Sequence, residues 1–361
     1  MLKPLLDLIR REKFYSILFV LVLGIYSYVA WMSHNQKDDR EDKASLKRFE
    51  QAEDSFEQKV KDPKSLQKFL RENPKMAFSL QAGSSFIFAG LVLGVWIQYR
   101  YLFKPELREK IKVEPQADSM RWIPGILFKA ILLFLLTSFV LTIILGAAKR
   151  FLFPGLSDHF LILTHTILSN LFCVYFMMHF IRKQGGSFQS LGFRLPSKSF
   201  FSEVLIGWMG YLAIIPLFAV VLTLVSLVSK SFGSEPDPHP LVYMFLDETG
   251  SRQFLIYTLL IAVVLAPMLE EIFFRGFCYP VFKHCFGKSI GMVVTASIFA
   301  AIHGSLFAFW PIFVLGLVLT YLYELRQSLV APMVLHITHN AIFISYFFLL
   351  KQVILAPHGG S

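Results

Sequence analysis

Blocks of uncharged residues long enough to cross a bilayer divide this chain, and they constrain its fold more than any other feature. Residues 14–32 carry no Asp, Glu, Lys or Arg, nor do residues 77–99, and residues 289–323 run on without charge for 35 positions. A hydrocarbon core about 30 Å thick takes about 20 apolar residues of helix. No water is present there to satisfy a free backbone group, so an open chain crosses as helix. With 55% of 361 residues hydrophobic and 17% charged, the chain holds more apolar side chains than one soluble core of its length would use. The expectation is an all-α fold, a polytopic membrane helix bundle of about nine transmembrane helices (eight to nine), with a polar extramembrane segment between the first two.

In chain order the spans are expected at 14–32, 77–99, 123–148, 159–181 and 204–229, then from about 253 to just before Lys283. Two more divide 289–323, with Gly304, Ser305 and Pro311 marking the break, and a ninth covers about 328–350. Lys3, Arg10, Arg11 and Lys13 precede the first span, and Tyr28 stands where a cleaved signal peptide has a small residue. That span therefore reads as uncleaved, with the amino terminus cytoplasmic in what is expected to be a bacterial inner membrane. Residues 33–75 hold eleven Lys or Arg against ten Asp or Glu. Being polar all round, they predict a solvated helix pair, or a flexible loop broken at Pro63 and Pro74, with no chemistry of its own.

Odd-numbered spans then run outward and even-numbered spans return, which puts the strongly basic loops inside. The loop with Arg100, Lys104, Arg108, Lys110, Lys112 and Arg121 is the clearest, followed by the one with Arg194 and Lys198. The loop with Glu235, Asp237, Asp247 and Glu248 falls outside. Because the basic residues sit at span ends, the net charge of +10 needs no nucleic acid to explain it. Lys129 lies near enough to the start of its span to snorkel to the interface. His165, Asn170 and His179 share no face and are read as satisfied by neighbouring carbonyls or hydroxyls. Cys173, Cys278 and Cys285 form no C-x-x-C pair and read as reduced packing residues.

The chemistry is expected in residues 265–279, LAPMLEEIFFRGFCY. A charge near the bilayer centre costs about 2.5–3.5 kcal/mol, so carboxylates persist there when they do something. Glu271 and Arg275 are i, i+4 in the favourable order for a helical ion pair. Glu270, about 100° round the helix, has no obvious partner on its own helix. Pro267 removes one helix hydrogen bond just before the pair and can widen the helix there. Two further polar pairs lie in apolar spans at the same spacing, Phe299 with His303 and His336 with Asn340. Counting at 1.5 Å per residue from Lys283, Lys288 and Arg326 puts Glu270, His303 and His336 about 15–22 Å from those helix ends, at one level.

A carboxylate, two imidazoles and an amide at one depth suit hydrolysis. The carboxylate with a histidine deprotonates a water, while His and Asn donors hold the oxyanion. The alternative is that Glu270, His303 and His336 bind Zn2+ with water in the fourth position. Each pair taken singly would serve as well to tie helices together by hydrogen bonds. Three pairs on three helices at one level favour chemistry.

These residues resemble the CAAX-protease and bacteriocin-processing family of intramembrane proteases, also called ABI, which includes the type II CAAX prenyl endopeptidases. Its series E-E-x-x-x-R followed by Gly, F-x-x-x-H and H-x-x-x-N stands here as Glu270, Glu271, Arg275 and Gly276, then Phe299 and His303, then His336 and Asn340. SLGFR at 190–194 is similar to the segment preceding the family's core, so the resemblance covers about 185–350. It implies a catalytic core at 185–350 behind an added amino-terminal module (1–122) and two helices (123–184), with a tail at 351–361.

It further implies a site opening toward the cytosolic half of the membrane. Glu270 and His303 would activate water there, His336 and Asn340 would hold the oxyanion, and Glu271, Arg275 and Phe299 would support them. The implied reaction is endopeptidase cleavage of a membrane-associated protein or peptide, of which prenylated CAAX proteins are one class, by water activation without a metal. Two other functions are compatible with such helices: a non-catalytic scaffold or bacteriocin-immunity protein, and an ion-coupled transporter using Glu270 and Glu271 as its relay. Against the transporter, no second copy of the motifs marks a repeated half.

Overall fold

Among the described residues, which are 13–35, 51, 61–114, 123–193, 200–232 and 252–354 of a computed structural model, every regular element is helical. The helices are α1 (Lys13–Asn35), α2 (Pro63–Glu72), α3 (Pro74–Phe103), α4 (Pro105–Ile111), α5 (Pro124–Ala147) and α6 (Asp158–Lys183). They continue with α7 (Phe200–Phe232), a long α8 over 252–286, α9 (Lys288–Ala301), α10 (Leu306–Arg326) and α11 (Val330–Ile354). Seven of them, α3, α5, α6, α7, α8, α10 and α11, are long and apolar enough to cross a membrane. In α1 the apolar stretch is the shorter Tyr15–Tyr28, and α9 is short throughout. The chain is thus a multi-pass helix bundle with seven candidate spans among the described residues, and two of the nine expected spans are represented by shorter apolar helices.

Lipid tails are as apolar as leucine, so such helices hold together by close packing and by polar bonds between them. On α3, Gly90 and Gly94 lie against α7: a Cβ on Gly94 would stand 2.3 Å from Leu212 O and 2.7 Å from Pro216 Cδ. One turn on, Gln98 Nε2 donates to Ala213 O at 2.7 Å. On α1, Tyr26 donates to Leu135 O of α5 at 3.0 Å. His165 of α6 meets Ser138 and Thr142 of α5, the carbonyl-and-hydroxyl satisfaction expected of it. Lys129 lies 5.0 Å from the Tyr15 ring, a cation over an aromatic face near the end of both helices.

Two prolines favour the helical alternative for the charged segment, and a third does not make the break expected of it. Pro63 and Pro74 begin α2 and α3 rather than breaking a loop, because a first-turn residue has no helical acceptor for the N–H that proline lacks. Pro311 lies inside α10, where only one bond is lost, so the break in 289–323 falls at residues 302–305 alone. There Gly304 takes φ +71° and Ser305 caps α10 by accepting from Ala308 N–H at 3.2 Å. The expected charged segment lies largely outside the described residues, apart from residues 33–35, 51 and 61–75.

The segment before α7 is part of the packed interior. A 3-10 turn (Phe188–Leu191) ends at Gly192 with φ +89° and buries Leu191 completely. Gly192 O accepts from Leu329 N–H at 3.0 Å, at the start of α11. Leu191 O lies 2.8 Å from where a Cβ on Gly276 would be, so α8 accepts no side chain larger than hydrogen at that position.

Candidate active site

α8 is an α-helix interrupted twice by π turns: Arg252–Leu260 is α, Ile261–Leu265 π, Ala266–Glu271 α, Ile272–Cys278 π and Tyr279–Phe286 α. The first π turn has a cause in the sequence. Ala266 N–H donates to Ile261 O, five residues back, and Pro267 has no N–H at all, so Ala262 O is left without its usual helical donor. Asn340 of α11 fills that place, its Nδ2 donating to Ala262 O at 2.9 Å. Two residues that are separate signals in the sequence, Pro267 and Asn340, thus form one local structure.

One turn along α8, Glu271 and Arg275 are both fully buried and joined at 2.8 Å, as their i, i+4 spacing predicts. Arg275 Nη2 also donates to Gly316 O of α10 at 3.2 Å. The same Glu271 oxygen that meets Arg275 meets His336 Nδ1 at 2.8 Å. With the guanidinium holding Glu271 as an acceptor, Nδ1 carries the hydrogen, which turns Nε2 toward Glu270 Oε2 at 3.8 Å. Glu270 retains 30% side-chain exposure, against 0% for Glu271 and 4% for His336. The chain Arg275, Glu271, His336, Glu270 therefore runs from sealed interior to accessible carboxylate.

Phe299 of α9 packs into the middle of this group. The Arg275 guanidinium lies 4.5 Å from its ring centroid, and the rings of His336 and His303 approach it at 5.7 and 5.0 Å, both edge to face. His303 Nδ1 is 2.7 Å from Phe299 O on its own helix. Among the described residues no group of three or more His, Cys, Asp or Glu is arranged to hold a metal ion. His336 engages Glu271 and His303 engages a carbonyl one helical turn back, each through Nδ1, so Nε2 is the ring nitrogen by which either would meet a metal.

The bond from His336 to Glu271 and the buried ion pair of Glu203 with Arg326 were missed from the sequence. Arg326 Nε donates to Glu203 Oε1 at 3.0 Å, and its other nitrogens reach Glu203 again and Ile111 O. Glu203, 0% exposed, stands one residue before the expected start of its span, and Arg326 read as a loop residue. A carboxylate beside an apolar run and an arginine at the end of another were the only signal.

An uncharacterized 24.3 kDa protein of Escherichia coli is 31% identical over 123 residues, covering 33% of this chain and 55% of that protein. The chain thus spans about half the length of that relative. No solved structure matches. Residues 252–342 match the family described as type II CAAX prenyl endopeptidase Rce1-like, and they contain every residue of the three motifs.

Proposed function

We propose that the protein is an intramembrane endopeptidase that hydrolyses a peptide bond of a membrane-associated protein or peptide, with water activated at Glu270. The observation that carries this reading is the buried chain from Arg275 through Glu271 and His336 to the accessible Glu270. It supplies what hydrolysis needs, a carboxylate open to water and a histidine fixed in one orientation by a second carboxylate. The match of residues 252–342 to the Rce1-like family supports the same reading.

In the proposed reaction a water attacks the scissile carbonyl carbon while Glu270, assisted by His303, takes one of its protons. The tetrahedral oxyanion is held by His336 and by the second Nδ2 hydrogen of Asn340, the first being committed to Ala262 O. In that role the His336 ring carries both hydrogens, Nδ1–H on Glu271 and Nε2–H on the oxyanion, and its charge adds to the stabilisation. Collapse of the intermediate breaks the C–N bond as Glu270 returns its proton to the leaving nitrogen. Arg275 and Phe299 touch no reacting atom and keep Glu271 and the two histidines in place.

Cleavage of a panel of prenylated and plain peptides by the purified protein, with and without a strong chelator, tests this. Glu270→Gln should lower cleavage by at least about 10²–10⁴-fold with the melting profile unchanged, and chelator should leave the rate alone. Full activity of folded Glu270→Gln would overturn the assignment.

A further inference from the structure

Wound into α2, part of the charged segment between the first two spans stops being polar all round. At 100° per residue, Leu66, Phe69 and Leu70 gather within an arc of about 100°, and Lys64, Lys68 and Arg71 within an arc of about 60° on the opposite side. Exposure follows the same division: the three apolar residues and Ser65 are half-buried, and the rest of the helix is exposed. One apolar face opposite one basic face is the pattern of a helix that lies in the interfacial layer of a bilayer.

The position of α2 in the chain puts it at that layer. Asn73 alone separates α2 from α3, and its φ of -123° and ψ of 67° are not helical, so the axis turns there. Asn73 N–H and Nδ2 both donate to Phe69 O at 3.0 Å, and Ala77 N–H donates to Asn73 O at 3.0 Å. The turn thus closes one helix and opens the next without a loop. The uncharged part of α3 begins at residue 77, four residues or about 6 Å of helix beyond Asn73. Headgroups occupy about 5–7 Å on each side of a hydrocarbon core about 30 Å thick. α2 therefore ends within the headgroup layer, at whichever face α3 enters.

The same face holds a second element of this kind. α3 and α5 cross in succession, so the end of α5 returns to the level of α2. There Phe151, Leu152 and Phe153 are 75%, 70% and 58% exposed directly after Lys149 and Arg150, and the Arg150 guanidinium lies 5.6 Å from the Phe151 ring. Apolar side chains this exposed beside two cations suit the boundary between acyl chains and headgroups better than water.

Charge selects the headgroups. Residues 61–75 hold Lys61, Lys64, Lys68, Arg71 and Lys75 against Asp62 and Glu72. Both carboxylates are engaged locally. Asp62 caps α2 by accepting from Lys64 N–H and Ser65 N–H at 3.2 Å each, and Glu72 lies 3.9 Å from Lys68 Nζ. Among the described residues Lys64, Arg71 and Lys75 meet no carboxylate.

We propose that α2 is a lipid-binding helix, lying in the interface with Leu66, Phe69 and Leu70 at the acyl boundary and Lys64, Lys68 and Arg71 reaching anionic headgroups. Its partner is the phosphate layer of the membrane in which the bundle sits. A soluble acidic protein or a second copy of the chain could cover the same face, but neither would require α2 to end inside the headgroup layer.

Two measurements on the full chain test this, in vesicles of phosphatidylcholine alone and of phosphatidylcholine with phosphatidylglycerol. In a Cys173→Ala, Cys285→Ala background, with Cys278 buried, Leu66→Cys and Lys68→Cys take a fluorophore on opposite faces of α2. A nitroxide carried on lipid near the glycerol should quench the label of Leu66→Cys, and iodide that of Lys68→Cys. Equal quenching of both labels by iodide overturns the proposal, because α2 then stands in water. Shielding of the Leu66→Cys label from both quenchers overturns it too, because protein then covers that face.

A label alters the face it reports, so hydrogen exchange of the Phe69 to Glu72 amides in the unlabelled chain gives the second reading. Exchange should be slower in the phosphatidylglycerol vesicles. Lys64→Gln and Arg71→Gln should each speed it there by about fivefold, the effect of one cation near an anionic surface, with no change in neutral vesicles. Glutamine keeps the helix propensity of lysine and arginine, and neither residue has a carboxylate to lose, so a purely structural role would give the same change in both vesicles. Equal wild-type rates in the two vesicles overturn the choice of anionic headgroups as the partner.

Discussion

Glu271 is the residue on which the site turns, because one of its oxygens serves both Arg275 and His336. Removing one partner of a buried ion pair leaves the other charge without compensation and costs about 3–5 kcal/mol. Glu271→Gln should therefore lower the melting temperature in detergent sharply, and Glu271→Gln with Arg275→Met should recover part of the loss; an equal or larger loss in the double variant would show that the pair is not the cause. Asn340→Ala should cost about 1–3 kcal/mol, since Ala262 O would stay buried without a donor. Its activity is thus best compared at a temperature where the variant remains folded. The Glu271–Arg275 pair was legible in the sequence because both residues lie on one helix, where spacing fixes geometry. The bond to His336 was not, because it depends on how α8 and α11 are rotated against each other, and adjacent Glu270 and Glu271 offered two candidates about 100° apart.

At the scale of elements, a proline's consequence follows from its position in the helix. Pro267 acts in mid-helix and has a π turn before it, while Pro63 and Pro74 stand in first turns and cost nothing. The sequence supports the widening at Pro267 and does not distinguish Pro311, which α10 absorbs, from a true break. The turn before α7 was legible only as a short motif. Its place in the interior depends on Gly276, where the nearest obstacle to a methyl group is the backbone oxygen of Leu191 at 2.8 Å. Gly276→Ala should destabilise by about 1–3 kcal/mol, and adding Leu191→Ala should not restore it, because truncating that side chain leaves the carbonyl where it is. Recovery in the double variant, read from thermal melts, would place the conflict with the side chain instead.

For the whole molecule, the apolar helices were legible because their signal is length and apolarity, whereas one tie between the amino-terminal helices and the helices from α7 to α11 was not. That tie is the strap formed by α4 and the residues after it. Arg326 on α10 holds the buried Glu203 of α7 and donates to Ile111 O, while Val113 N–H donates to Leu325 O next to it. One guanidinium thus fastens three parts of the chain that are far apart in sequence, and its five donors in a fixed fork suit it to that work better than lysine. Arg108, Lys110 and Lys112 lie exposed along the strap, so trypsin reads its attachment directly. Arg326→Met removes the donor to Ile111 O and leaves the Glu203 carboxylate buried and uncompensated, at a cost of about 3–5 kcal/mol. In detergent, at a temperature where both proteins remain folded, cutting within 108–112 should speed up in Arg326→Met, and Arg326→Lys should fall between the two. Glu203→Gln with Arg326→Met should regain melting temperature while the strap stays easily cut, because pairing of the charges and anchoring of Ile111 are separate functions of the same side chain. Equal cutting rates in wild type and Arg326→Met would show that Val113 and Leu325 suffice to hold the strap.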